Sequence, residues 1–255
     1  LVFASDGDVV RAVDPAAGKV FRLAGGGSDP AVVEGPAKLA CFRGVSGIAI
    51  DEAGLWFGDT KNGAVRRLDF ASDRVTTLAE RLPEPVELAR DGSTVYVGCR
   101  QGELFEIDAG TAERRPLEAV RGAIVGLTVV ARSLYAATAA GAVLGIDRTN
   151  GRVTQRLEIE GSIYCVAQNP HSSLPWLWVG LPGRINKLRV PDGAFEQLAR
   201  DGVVAQPRAL AIVREYIEMF SHFSVTGLYF FDAGNLYRLD RHANNAVTTV
   251  LARSG

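Results

Sequence analysis

Apolar and polar residues alternate along this chain in short runs, and each run is closed by Gly, Asp, Asn or Pro. The stretch Gly54 to Glu80, GLWFGDTKNGAVRRLDFASDRVTTLAE, shows the pattern in full. Its apolar runs are rich in aromatic and β-branched residues, which suit a half-buried pleated surface. No segment sustains a 3.6-residue apolar period over several turns, so helices alternating with strands are excluded. The pattern predicts an all-β chain of short strands.

The runs recur. LWFGD at Leu55 is followed by VYVGC at Val95, LYAAT at Leu134, LWVGL at Leu177 and LYFFD at Leu228, and preceded by LVFAS at Leu1. The second position holds Trp56, Tyr96, Tyr135, Trp178 and Tyr229, with Val2 in the first copy. The next run ends in an apolar–Asp pair: Val13-Asp14, Leu68-Asp69, Ile107-Asp108, Ile146-Asp147 and Leu239-Asp240, with Leu188-Arg189 in the fifth copy. A period of about 40 residues with four short strands per copy marks a propeller. Six copies predict a six-bladed β-propeller of four-stranded antiparallel blades, with Trp56 and its counterparts packed between blades. The first copy shows no first strand. The repeat fills residues 1–255, so the chain reads as one domain.

Composition narrows the setting. With 47% apolar and 22% charged residues the chain can bury a large core. A formal charge of −1 argues against DNA or a membrane as a partner over the whole surface. Arg greatly outnumbers Lys, which favours planar recognition of carboxylate or phosphate. Three cysteines without metal spacing (Cys41, Cys99 and Cys165) and the absence of an Asn-x-Ser/Thr acceptor point to a reducing, cytoplasmic setting. The chain starts at Leu1 inside a strand pattern, as expected of a domain excised from a longer protein.

The best copy resembles an NHL repeat. Gly47-Ile48-Ala49-Ile50-Asp51, Gly54-Leu55-Trp56-Phe57, Asp59-Thr60-Lys61-Asn62 and Val65-Arg66-Arg67-Leu68-Asp69 follow that family's order, and VTTLA at Val75 closes the copy. The spacer Leu23–Phe42 is also similar to the family's. Asp59 and Asn62 are read as turn chemistry, side chains closing a loop on backbone N–H groups. The resemblance implies an NHL-type module that recruits partners for a larger intracellular protein.

Catalysis finds little to work with. The histidines His171, His222 and His242 fall in different segments without ligand spacing. Lactonase-like and lyase-like propellers place carboxylates or metal ligands on their first strands, and the runs here offer Glu87 alone. The expectation is no enzyme, no metal and no cofactor, with a lyase- or lactonase-like enzyme as the more remote alternative.

Two binding surfaces stand out. Asn169–Trp176 and Arg214–Gly227 are long connections where other copies use three or four residues. The second reads either as a longer hairpin or short helix packed back, or as part of a protein-binding ledge. Its candidate residues are His171, Trp176, Tyr216, Met219, Phe220 and Phe223, with Trp176 one residue ahead of its strand. The alternative is single-stranded RNA on the opposite face, held by Lys61, Arg100 and Arg184. Acidic neighbours there nearly cancel the charge, so a protein partner of unknown identity is the favoured expectation.

Overall fold

The computed structural model describes residues 1–168, 176–190, 192–199, 207, 209–217, 222–232, 235–240 and 246–251. Strands β1 (Val2–Asp6), β2 (Val9–Asp14) and β3 (Lys19–Gly25) form a three-stranded sheet in that order. Next come β4 (Gly35–Pro36), β5 (Val45–Ile50), β6 (Gly54–Asp59), β7 (Ala64–Asp69) and β8 (Arg74–Ala79). They form a five-stranded sheet of order β4-β8-β7-β6-β5. A four-stranded meander follows in β9 (Pro85–Asp91), β10 (Thr94–Cys99), β11 (Leu104–Asp108) and β12 (Arg114–Pro116). Another comprises β13 (Ile124–Val130), β14 (Ser133–Thr138), β15 (Ala142–Asp147) and β16 (Val153–Glu158).

The last two four-stranded sheets are β17 (Cys165–Gln168), β18 (Trp176–Leu181), β19 (Arg184–Arg189) and β20 (Ala194–Ala199), then β21 (Ala209–Ile217), β22 (His222–Asp232), β23 (Asn235–Asp240) and β24 (Ala246–Leu251). Pairing is antiparallel from blade to blade. Among the described residues five sheets therefore have four strands or more, and the expected six four-stranded blades are corrected to five there. The copy at Leu1 makes three strands because β1, among the described residues, pairs only with β2.

The turns explain why the apolar–Asp pair recurs. Asp14 accepts the N–H groups of Ala16 and Ala17, Asp69 that of Ser72, Asp108 those of Gly110 and Thr111, and Asp147 those of Thr149 and Asn150. Each aspartate folds the chain from the next-to-last strand of its repeat into the last. In the fifth copy Arg189 instead pairs with Asp192, whose carboxylate accepts the Ala194 N–H.

Contacts divide the chain into two compact units, residues 1–136 with 144–155 and residues 137–143 with 156–255. In the first unit the two faces of the five-stranded sheet serve two cores. Leu55, Phe57, Leu68 and Val75 pack with Val10, Ala24 and Phe42, while Trp56 and Val65 pack with Leu88, Val95 and Ile107. That is the period-two alternation of strands buried on both sides. Phe42 meets Phe57 edge-on with centroids 4.8 Å apart. The innermost strands touch, β5 against β9 and β9 against β13.

In the second unit Leu177, Trp178, Ile185 and Leu188 are fully buried, and the Cys165 thiol donates to the Pro207 carbonyl at 3.0 Å. Here the segment Arg214–Gly227 is mostly ladder. The register of β21 and β22 runs unbroken in direction from Ala209↔Phe231 to Ile217↔His222, with one shift at Val213/Arg214. Of the two readings offered for this segment, the longer hairpin holds for the described backbone. Its Val, Tyr, Ile, Phe and Thr content favours continued pairing over an open loop.

Candidate functional site

The most family-like motif is spent on folding. Asp59, at the end of β6, is fully buried. Its carboxylate accepts the Arg43 N–H at 2.8 Å and the Asn62 amide at 3.0 Å, and pairs with Arg66 at 3.1 Å. Arg66 is 3% exposed and also donates to the Thr77 hydroxyl. Thr77 in turn gives its backbone N–H to Glu34 at 2.8 Å. Gly63 closes the turn at φ 61°, a left-handed position that suits glycine. Asp59 and Asn62 thus act as turn residues, and Lys61 is left exposed between them.

The other two candidate RNA contacts differ from Lys61. Arg100 is already paired with Glu84 at 2.9 Å. Arg184, the first residue of β19, is half-buried, with its Nε shielded and unbonded. Lys61 and Arg100 belong to the first unit and Arg184 to the second.

Glu87 lies on β9 opposite Gly98 of β10. The space over Gly98 is occupied by Ile124 of β13 and, at 3.6 Å from where a β-carbon would stand, by the Glu87 β-carbon. Glu87 therefore stands at the seam between two sheets and is half-buried there. Loss of hydration there pushes its pKa up to about 7. No salt bridge or hydrogen bond satisfies it among the described residues. The sequence offered Glu87 only as a lone carboxylate on a first strand, because the glycine opposite and the isoleucine across the seam are distant in sequence. Among the described residues no three potential metal ligands come together.

The ledge residues fare unevenly. His171, Met219 and Phe220 lie outside the described residues. Tyr216 and Phe223 are backbone partners in the β21–β22 ladder rather than loop residues. Trp176 is corrected from a free position ahead of the strand to the first residue of β18, paired with Arg189. Lys187 at 4.2 Å and Arg189 at 5.5 Å make cation–π contacts with its indole, so the ring is already engaged within its own sheet.

A different surface was missed. On the first unit an open groove of about 680 Å³ is lined by Leu1, Val20, Phe21, Leu23, Lys38 and Asp73, among others. Seven large apolar side chains are exposed among the described residues, and three of them, Leu1, Val20 and Phe21, line this groove. Val20 and Phe21 are 43% and 45% exposed. The only sequence signal was Val20-Phe21 between Lys19 and Arg22, which reads as an ordinary strand until the outer neighbour is known to be missing.

No family model matches the chain, and no curated protein matches it in sequence. Solved structures do. A Bacteroides thetaiotaomicron protein of unknown function superposes with a TM-score of 0.69 at 16% identity, over 98% of this chain and 71% of that one. A chain of the mitotic checkpoint complex gives 0.63 at 17% identity, over 97% and 74%. The computationally designed Ika8 protein gives 0.58 at 14% identity, over 93% and 70%. These similarities concern the fold alone. Together with the stacked four-stranded antiparallel sheets they make this an all-β propeller.

Proposed function

We propose that the chain is a non-catalytic, NHL-like interaction propeller of an intracellular protein, with the three-stranded sheet β1–β3 as its sixth blade, and that it recruits a protein partner. The observation that supports this reading is that three of the seven large apolar side chains exposed among the described residues, Leu1, Val20 and Phe21, line one groove of the first unit. Contiguous apolar surface of this kind is costly to leave in water and typically marks an interaction site.

The arginine excess weighs against RNA. Nine of the ten ion pairs among the described residues use arginine, so these guanidiniums already hold carboxylates. The test is affinity capture from a lysate of the source organism with and without nuclease. A protein that stays bound after nuclease and is lost on Phe21→Ser supports the reading. Recovery of RNA alone, released by raising salt and by mutating Lys61, Arg100 and Arg184, contradicts it.

A further inference from the structure

The second blade covers its own outer edge. In the five-stranded sheet, β4 pairs with β8 through Gly35↔Val75 and Pro36↔Arg74, and Glu34 just before it accepts the Thr77 N–H at 2.8 Å. An acidic three-residue segment, Glu34-Gly35-Pro36, therefore closes an edge strand that begins with Arg74.

Strand β3 is the counterpart of β8 in the first blade. Lys19 stands opposite Asp14 as Arg74 stands opposite Asp69, and Val20 opposite Val13 as Val75 stands opposite Leu68. Both ladders shift register at the equivalent place, Val10/Arg11 and Val65/Arg66, and this puts Arg22 where Thr77 is. Yet β3 ends its sheet, and among the described residues no backbone group pairs with its outer edge between Lys19 and Leu23. Only Gly25 is tied there, to the Ala37 carbonyl. Where blade two is covered, blade one presents exposed Val20 and Phe21 beside the groove.

We propose that the outer edge of β3 is a strand-addition site for an extended, acidic segment of a partner protein. The segment's backbone continues the ladder, its apolar residues cover Val20 and Phe21, and a glutamate meets the Arg22 N–H as Glu34 meets that of Thr77. The charges select the occupant. Arg22 and Lys38 outnumber Asp73 among the groove's lining residues, and Lys19 opens β3 beside them, which favours an acidic strand. A second copy of this chain is disfavoured, because antiparallel self-pairing about Val20-Phe21 sets Lys19 against Arg22.

This inference rests on the protein-recruiting reading and fails separately from it. The probe is an amidated peptide VVEGPA carrying fluorescein on its N-terminal amine, which copies the residues around β4; β8 is already held by β4 within the chain. Fluorescence anisotropy is expected to show saturable binding, weakened at least tenfold by Glu→Lys in the peptide, and separately by Phe21→Ser and by Arg22→Glu in the protein. Hydrogen exchange is expected to slow at the Arg22 amide on binding. Circular dichroism identifies a variant that has merely unfolded, and Lys38→Glu then serves as a second test. No saturable binding, or binding unchanged by Phe21→Ser and Arg22→Glu in folded protein, overturns the proposal. Self-association abolished by Phe21→Ser overturns it in favour of a second copy. A captured partner that β3 variants do not release sinks the edge site while leaving the recruiting role intact.

Discussion

A guanidinium buried as deeply as that of Arg66 needs acceptors on every side, and Asp59 and Thr77 supply them. Removing the carboxylate in Asp59→Ala leaves an uncompensated buried charge, at an expected cost of about 3–5 kcal/mol in urea denaturation. Asp59→Leu combined with Arg66→Met removes the buried charge and should regain part of that loss, the remainder being the acceptor lost to the Arg43 N–H and the Asn62 amide. A loss below about 1 kcal/mol in the single variant would put the pair on a par with an exposed one. Trp56 is 3% exposed and lies between Arg67 at 5.4 Å and Arg90 at 4.6 Å. Its truncation to Ala is expected to cost about 3–5 kcal/mol, read from the same curves.

Titration gives two opposite signatures. Burial raises the Glu87 pKa from 4.5 to about 7, so between those values the folded chain holds a proton that the unfolded chain has released. Its contribution makes stability fall as pH rises through that window and stay lower above it. The full shift corresponds to at most about 3.5 kcal/mol at roughly 1.4 kcal/mol per unit, and to less because the residue is only half-buried. Melting from pH 4 to 9 should show Glu87→Gln gaining on the wild type up to pH 7 and holding its lead beyond. Parallel curves would remove Glu87 from the seam. Asp69, Asp108 and Asp147 behave the other way. Hydrogen bonds from their turns, led by Ser72, Thr111 and Thr149, hold their pKa values below 3.8. Their stabilisation is complete above that value and is lost as pH falls through the lowered pKa values.

At the scale of elements, β4 and β3 make the contrast. Glu34 is held below its ordinary pKa chiefly by its bond to Thr77. Glu34→Ala should therefore free the β4 segment, with faster hydrogen exchange at the Thr77 amide and a loss of about 0.5–1.5 kcal/mol. Exchange unchanged at Thr77 would show that Gly35–Pro36 holds the edge by itself. The second strands of the repeat were legible because an aromatic such as Trp56, Tyr96 or Trp178 marks a fixed place in an alternating run. Strand β4 was not: two residues have no period, and the pairing depends on contacts 40 or so positions apart. The β21–β22 hairpin was readable only as one of two choices. Its composition suits strands, but strand extension beyond the usual blade length has no local marker.

At the scale of the whole molecule, the period of about 40 residues specified a stack of small sheets, since none can cover its apolar faces alone. The candidate site was far less legible. Whether Val20-Phe21 is core, edge or docking surface is decided by what lies beyond β3, and a strand's own residues do not record an absent neighbour. Glu87 shows the same limit: its chemistry is set by Gly98 and Ile124 across a seam. The central claim is that the rim of the first blade recruits protein. Its most direct measurement places a photoreactive amino acid at position 21 or, as a control, at the equally exposed position 195 of β20, and irradiates each with the captured partner. The account predicts a cross-link at position 21 that VVEGPA peptide suppresses, and none above background at position 195. Equal labelling at both positions, or labelling at position 195 alone, would contradict it.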